Sequence, residues 1–195
     1  MKSDEKPILP TDGDLQIGRV LVPQDRIAAR IGELAEEIAA FYDGREITIM
    51  MALTGALMLV ADLVRRLALA VRIEPVSVCS YPGRATRSQG PKFRLPPSHQ
   101  LANRDVLIVD DIYDSGETMA LLSRSAQQAG ARSIRSCVLL NKDRPDLPSR
   151  PTPPHFVGFH IPDEFVVGYG LDYDGLYRNL PEICVLTPAE TDHGD

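Results

Sequence analysis

Residues 106–119, Val-Leu-Ile-Val-Asp-Asp-Ile-Tyr-Asp-Ser-Gly-Glu-Thr-Met, constrain the fold of this chain more than any other stretch. An apolar run, Val106 to Val109, leads directly into the adjacent carboxylates Asp110 and Asp111. Asp114, Ser115, Gly116 and Thr118 follow, and then an apolar-periodic segment that reads as a helix. A short apolar run bounded in this way is a strand buried on both faces. A strand feeding a helix is one half of a βαβ unit. Acids, hydroxyls and backbone N–H groups therefore gather at the carboxyl end of one strand, where open α/β sheets bind their ligands.

The rest of the chain repeats the alternation. Val20 to Val22 offers a short strand, and a helix follows from Pro23 or Gln24 to about Tyr42, with Ile27, Ile31, Leu34 and Ile38 on one face. Asp43-Gly44 is a turn, and Ile47 to Leu53 is a second strand. The spacing of Leu59, Leu63 and Leu67 predicts a helix over 56–70, and Arg72 to Ser80 is another strand. Residues 81–104 carry too much Pro and Gly for a helix, and a connection of that length is usually a lid, a binding loop or disordered. Thr118 to Ala129 is the helix after the central strand, stopped by Gly130. Strands are expected at Ser133 to Leu140, Phe156 to Ile161, Phe165 to Gly168 and Cys184 to Leu186, with a loop over 143–154 and a short turn of helix from Tyr173 to Asn179. Strands alternating with helices imply a parallel sheet.

The motif's chemistry follows from its order. The first N–H groups of a helix lack internal partners and lie at the positive end of its dipole. Ser115, Gly116, Glu117 and Thr118 stand at such a start, so they suit a phosphate. Adjacent carboxylates both stay ionised only beside something positive or hydrogen-bonding. For Asp110 and Asp111, Mg2+ or a ribose diol would supply it. Asp114, inside the phosphate loop, reaches a group borne by the same sugar, and proton transfer is its natural task. A lone Asp-Asp would be a solvated pair of acids. The strand before it and the Ser-Gly-x-Thr ending after it turn the reading to a site. A phosphorylated-aspartate receiver also ends a strand in paired acids, but gives no reason for Ser115, Gly116 and Thr118 at this spacing.

This motif resembles the phosphoribosyl pyrophosphate (PRPP) signature of type I phosphoribosyltransferases. A second stretch narrows the resemblance. Val157-Gly-Phe-His-Ile-Pro-Asp-Glu-Phe-Val-Val-Gly-Tyr-Gly-Leu-Asp-Tyr173, followed by Tyr177-Arg-Asn-Leu-Pro181, is similar to the C-terminal half of hypoxanthine-guanine phosphoribosyltransferases. Leu53-Thr-Gly-Ala56, Ala61-Asp-Leu63, Ser80-Tyr81 and Leu139-Leu-Asn-Lys142 add to it, so that it covers nearly all of residues 20–187. The resemblance implies a type I phosphoribosyltransferase fold: a parallel twisted sheet flanked by helices, with a small hood from the C-terminal and N-terminal segments. The expected layout is a flexible arm over 1–18, one domain over 19–188 and a tail over 189–195. Within the domain the core covers about 23–142 and the hood about 143–188 plus the N-terminal strand.

The family exchanges a 6-oxopurine with the pyrophosphate of PRPP. By the resemblance, Asp114 to Thr118 hold the 5′-phosphate, and Asp110 and Asp111 meet the ribose hydroxyls directly or through Mg2+. Asp114 accepts or returns the purine N7 proton, and Lys142 bonds the 6-oxo group. Phe165 stacks on the base, and the Val166 backbone reads its edge. Asp172 helps hold a second Mg2+ beside the pyrophosphate, with Thr54, Gly55 and Arg178 at the same end. Ser80 and Tyr81 belong to a mobile lid. Taken singly, Phe165 would be a core aromatic, and Lys142 and Arg178 would be surface cations. Their positions inside the matched segments reverse that.

Two residues depart from the family pattern. Thr54 stands where a lysine is common, which removes a cation from the pyrophosphate loop, and Asp110 stands where glutamate is usual. The resemblance also implies a cis bond between Leu53 and Thr54. A net charge of −6 argues against broad nucleic-acid or membrane-surface binding. Three widely spaced cysteines read as buried free thiols, and the polar first residues show no signal peptide, so a cytoplasmic protein is expected. A homodimer or homotetramer is implied by the resemblance alone. Two other readings stand beside the enzyme: a non-catalytic sensor of PRPP or nucleotide with the same fold, and a relative that prefers a pyrimidine.

Overall fold

The structure, a computed structural model, describes residues 15–79, 92–94, 100–147 and 149–188. It is built on a six-stranded sheet in the order β4-β3-β2-β5-β6-β7. These strands are β2 (Ile47–Leu53), β3 (Val71–Cys79), β4 (Lys92–Arg94), β5 (Asp105–Tyr113), β6 (Ser133–Lys142) and β7 (Phe156–Ile161). All neighbours run parallel except β4, which pairs antiparallel with β3 at one edge. Helix α1 (Gln24–Tyr42) packs on α2 (Leu57–Val64) and β7, and α3 (Glu117–Gln128) packs on β5 and β6.

The period of two along each central strand divides the core. Ile47, Ile49 and Met51 of β2, with Leu107 and Val109 of β5, join the cluster under α1 and α2. Met50, Ala52, Val106 and Ile108 join the cluster that takes Met119, Leu122 and Ala126 of α3. A strand buried on both faces has no polar positions to spare, which explains the near-continuous apolar runs. The N-terminal ends of the parallel strands are held together by the buried Asp105. It accepts bonds from Arg132, Ser133 and Arg45.

A second sheet, β1-β9-β8, is antiparallel and joins chain ends that are far apart in sequence: β1 (Leu15–Val22), β9 (Ile183–Pro188) and β8 (Val166–Val167). Val167, Tyr177, Leu180, Cys184 and Leu186 form its own apolar cluster. This second sheet is called the hood below, and two of its bounds differ from those expected. Leu15 to Gly18, expected in the loose arm, belong to β1, in which Leu15, Gln16 and Ile17 pair with β9. β7 belongs to the main sheet through its ladder with β6, so the hood's C-terminal part begins after Ile161 rather than at 143.

Three local expectations also change. The helix predicted over 56–70 stops at Val64. Arg66 N and Leu67 N both donate to Leu63 O, closing a turn that buries Leu67. Ala70 O already accepts from Ile47 N at the entry to the sheet. The helical turn expected from Tyr173 to Asn179 is a tight hairpin instead: Tyr173 and Leu176 bond each other, with positive φ at Asp174 (49°) and Gly175 (78°). Asp-Gly with both φ positive is the sequence of a type I′ turn. Finally, β5 does not end at Val109. Its ladder continues through Asp110 paired with Val138 and Tyr113 paired with Asn141, because β6 runs on beside it to Lys142. No helix among the described residues is long and apolar enough to cross a membrane.

Candidate active site

The carboxyl ends of β2 and β5 open into a cavity of about 520 Å3. Thr54 forms one wall, Asp110 and Asp111 the floor, and Asp114, Ser115, Gly116 and Thr118 another wall. Asp172 and Arg178 of the hood close the remaining side. Two separate sequence segments thus line one cavity.

Gly116 takes a φ of 82° and lets the chain turn sharply into α3. Ala120 N bonds Gly116 O at 2.9 Å as the helix starts, so the N–H groups before it have no partner within the helix. Glu117 N donates to Ser115 Oγ at 3.4 Å, and Ser115, Gly116 and Thr118 line the cavity at this helix start, the kind of place that suits a phosphate. Glu117 is exposed and is not among the residues that wall the cavity. An outward side chain is what an acid at this position requires.

Asp110 and Asp111 lie inside the protein, and burial raises both carboxyl pKa values above the ordinary range. For Asp110 the negative Asp111 raises it further. Asp111 is partly relieved by hydrogen bonds and by Arg178 across the cavity. Asp110 Oδ1 accepts from Asp111 N at 3.0 Å, and Asp111 Oδ1 from Ile112 N at 2.8 Å. Two carboxylates, Asp110 buried and Asp111 half-buried, held as hard oxygen donors at a cavity floor fit a divalent cation or a diol. Among the described residues no three His, Cys, Asp or Glu side chains converge on one point. Mg2+ takes one or two protein carboxylates and completes its shell with water and substrate oxygens, a demand that Asp110 and Asp111 can meet.

Thr54 and Gly55 follow β2, and the Leu53–Thr54 peptide bond is cis. Gly55 is pressed between the floor and the hood. A Cβ there would lie 1.7 Å from Asp111 Oδ2, and a Cβ on Gly170 would lie 2.2 Å from Gly55 O. Arg178 is the one cationic side chain among the residues walling the cavity. It donates to Gly170 O and pairs with Asp172 at 2.7 Å, while the other Asp172 oxygen accepts from Gly175 N at 2.8 Å.

The base-side residues gather beside this cavity. Lys142, at the end of β6, is 91 % buried and reaches both Asp114 and Asp163 at 3.4 Å. Arg144 bonds the other Asp114 oxygen and lies 3.4 Å from Asp163. Phe165 is 52 % exposed and meets Tyr173 edge-on, with ring centres 5.8 Å apart. An aromatic face this open is available to a flat ring. Val166 is buried in β8, where it pairs with Val185. Ser80 and Tyr81, expected in a lid, lie outside the described residues. Arg144, Asp163, Tyr173 and Arg150 were not singled out from the sequence. Asp163 and Tyr173 stand inside the matched C-terminal stretch, while the two arginines lie in a Pro-rich loop that offers no pattern.

The phosphoribosyl transferase domain family matches residues 21–174. The chain is 40% identical over 183 residues to the hypoxanthine-guanine phosphoribosyltransferase of Mycobacterium tuberculosis, covering 90% of this chain and 88% of that protein. It is 36% identical over 166 residues to the hypoxanthine phosphoribosyltransferase of Salmonella typhimurium, covering 84% and 92%. Among solved structures, a hypoxanthine-guanine phosphoribosyltransferase from Bacillus anthracis superposes with a TM-score of 0.78 at 30% identity, covering 89% of this chain and 99% of that one.

Proposed function

The chain belongs to the phosphoribosyl transferase domain family, and from that premise we infer that it is a purine-salvage enzyme joining a 6-oxopurine to the ribose 5-phosphate of PRPP. The products are a purine mononucleotide and pyrophosphate. Hypoxanthine and guanine are the leading bases, with xanthine a third candidate. The observation that carries the reading is the single cavity shared by the phosphate loop, the paired acids and the hood's Arg178. Its relatives are named as enzymes, and the readings as a non-catalytic sensor or a pyrimidine-preferring relative are not carried further.

The residue roles belong to this proposal. The backbone N–H groups and hydroxyls from Ser115 to Thr118 bind the 5′-phosphate. Asp110 and Asp111 hold the ribose hydroxyls, and carboxylates there favour the positive charge that builds on the sugar. Asp114 moves the proton at the purine N7. Lys142 donates to the 6-oxo group, Phe165 stacks on the ring, and the Val166 backbone reads its edge. Arg178, with the N–H groups of Thr54 and Gly55, takes the negative charge of the departing pyrophosphate. Ser80 and Tyr81 exclude water when the site closes.

Mg2+ is the proposed cofactor, held by Asp110 and Asp111 and, beside the pyrophosphate, by Asp172. When bound it neutralises charge on the phosphate oxygens. A dimer or tetramer in the cytoplasm completes the proposal. The burial of Cys137 and Cys184 as free thiols suits a reducing compartment.

The test supplies purified protein with PRPP, Mg2+ and each of hypoxanthine, guanine and xanthine, singly and in competition. Nucleotide is expected from at least one base, and the competition ranks them. No nucleotide from any of the three sinks the reading.

A further inference from the structure

The loop between β6 and β7, residues 143–155, brings Arg150 into the gap between two parts of the site. The β5–β6 ladder ends at the pair of Tyr113 and Asn141. Beyond it the two chains part, one turning into the phosphate loop and the other reaching Lys142. Carbonyls at such a divergence lose their sheet partners and need another donor. Arg150 Nη1 is shared among three of them: Tyr113 O at 3.2 Å, Asp114 O at 3.0 Å and Lys142 O at 2.8 Å. Its Nη2 donates to Asn141 Oδ1 at 3.1 Å. The guanidinium also lies 4.5 Å from the centre of the Tyr113 ring, whose hydroxyl donates to Pro151 O at 2.8 Å. A Cβ on Gly116 would come within 2.8 Å of Pro151 O and 2.9 Å of the Tyr113 ring. The loop is therefore packed hard against the phosphate loop, with Arg150 as the link to the base side.

We propose that Arg150 is a positioning residue that fixes the separation between the phosphate loop, residues 114–118, and Lys142, so that one ligand can span both. The proposal rests on the phosphoribosyl-transfer reading. A guanidinium is planar, permanently charged and rich in donors, and those properties match three carbonyls that approach from two chains. PRPP alone engages only the phosphate side. A mononucleotide, or PRPP together with a purine, engages both ends at once. Loss of the link therefore weakens spanning ligands and the transfer step more than it weakens PRPP. Arg150 is half-buried beside a cavity of about 400 Å3, so a small cation can enter the space its side chain would vacate.

The experiment compares the full chain with Arg150→Ala and Arg150→Lys. Turnover, equilibrium binding of PRPP alone, binding of inosine 5′-monophosphate and thermal midpoint are measured for each. For Arg150→Ala, kcat/KM should fall on the order of 10²-fold and mononucleotide affinity roughly tenfold, while PRPP affinity stays within about threefold. Guanidinium chloride at millimolar concentration should restore part of the Arg150→Ala turnover. Arg150→Lys keeps the charge and the stem, so it covers the case in which the alanine variant does not fold. It should show the same pattern at smaller size. Unchanged turnover, or equal losses in PRPP and mononucleotide affinity, would overturn the proposal. So would a loss that neither lysine nor guanidinium reduces, which marks disrupted folding. A wild type that forms no nucleotide refutes the parent reading by itself, and the Arg150 proposal is then judged on the two binding measurements.

Discussion

Asp114 stands between two cations, with Lys142 3.4 Å from one oxygen and Arg144 bonded to the other. On the proposed reading, a carboxylate in this setting has two separable duties: it can accept a proton, and it can hold Lys142 in place through their 3.4 Å ion pair. Asp114→Asn removes the first and keeps the shape. The amide still offers an oxygen to a cation but takes no proton near neutral pH. On the proposed roles, PRPP is held mainly by backbone N–H groups and hydroxyls, so its affinity should stay within a few-fold, while kcat falls on the order of 10²- to 10⁴-fold. Single-turnover kinetics with a parallel PRPP titration reads the split, and equal losses would remove proton transfer as the role of Asp114. Much of this residue-level picture was legible in the sequence, because the site is built from side chains inside recognisable segments. Arg144 and Arg150 were not. They act on a carboxylate and on backbone carbonyls from a loop without periodicity, and a carbonyl leaves no trace in the letters of a sequence.

Strand β5 carries chemistry at one end and cohesion at the other. Asp105, at its N-terminal end, is 1 % exposed and accepts from Arg132 at 2.6 Å, Ser133 at 2.5 Å and Arg45 at 3.2 Å. The Arg132 bond is the main reason its carboxyl pKa lies below the ordinary value, with Ser133 and Arg45 adding to it against burial. The folded value is the lower one. The stability Asp105 adds is therefore complete above the unfolded pKa of about 3.9 and is lost as pH falls through the folded value. Both arginines are about half exposed, so the ion pairs are screened and the contribution is discounted. Asp105→Asn should cost about 2 kcal/mol at neutral pH, or roughly 4–8 °C in Tm, and the gap between variant and wild type should close in acid. Thermal scans from pH 7 down to the acid limit check this, and a gap independent of pH would contradict it. The elements themselves were readable wherever periodicity was strong: β2, β7 and α1 fall where the apolar pattern puts them. The misreadings arose at ends. Leu67 continues an apolar spacing that the backbone has already left, and Asp174-Gly175, both at positive φ, closes a hairpin where a helical turn is expected.

At the scale of the molecule, the site exists only where the hood sits on the sheet. The sequence announced two segments with separate duties, but it held no measure of how closely they approach, because backbone contact depends on the assembled fold. Asp111, Gly55 and Gly170 stack in that order, and Arg178 bonds the carbonyl of Gly170. Each step leaves no room for a methyl group. Gly170→Ala is therefore a displacement experiment. Its φ of 101° is costly for alanine, and the new Cβ would lie 2.2 Å from Gly55 O, so the hood must lift and carry Asp172 and Arg178 with it. A shift of about 1 Å between the two halves should lower kcat/KM on the order of 10²-fold. Backbone strain alone would also lower Tm, so a control is needed. Gly44 has a φ of 76° and nothing within 4 Å of its Cβ position, at a turn on the far side of β2 from the cavity. Gly44→Ala should lose stability of the order of 1–3 kcal/mol from strain and keep its turnover. If both variants lose only stability, the seating of the hood does not depend on the glycine contact. If Gly170→Ala alone loses turnover, that contact sets the distance between Asp110 and Asp111 on the floor and Arg178 on the facing wall.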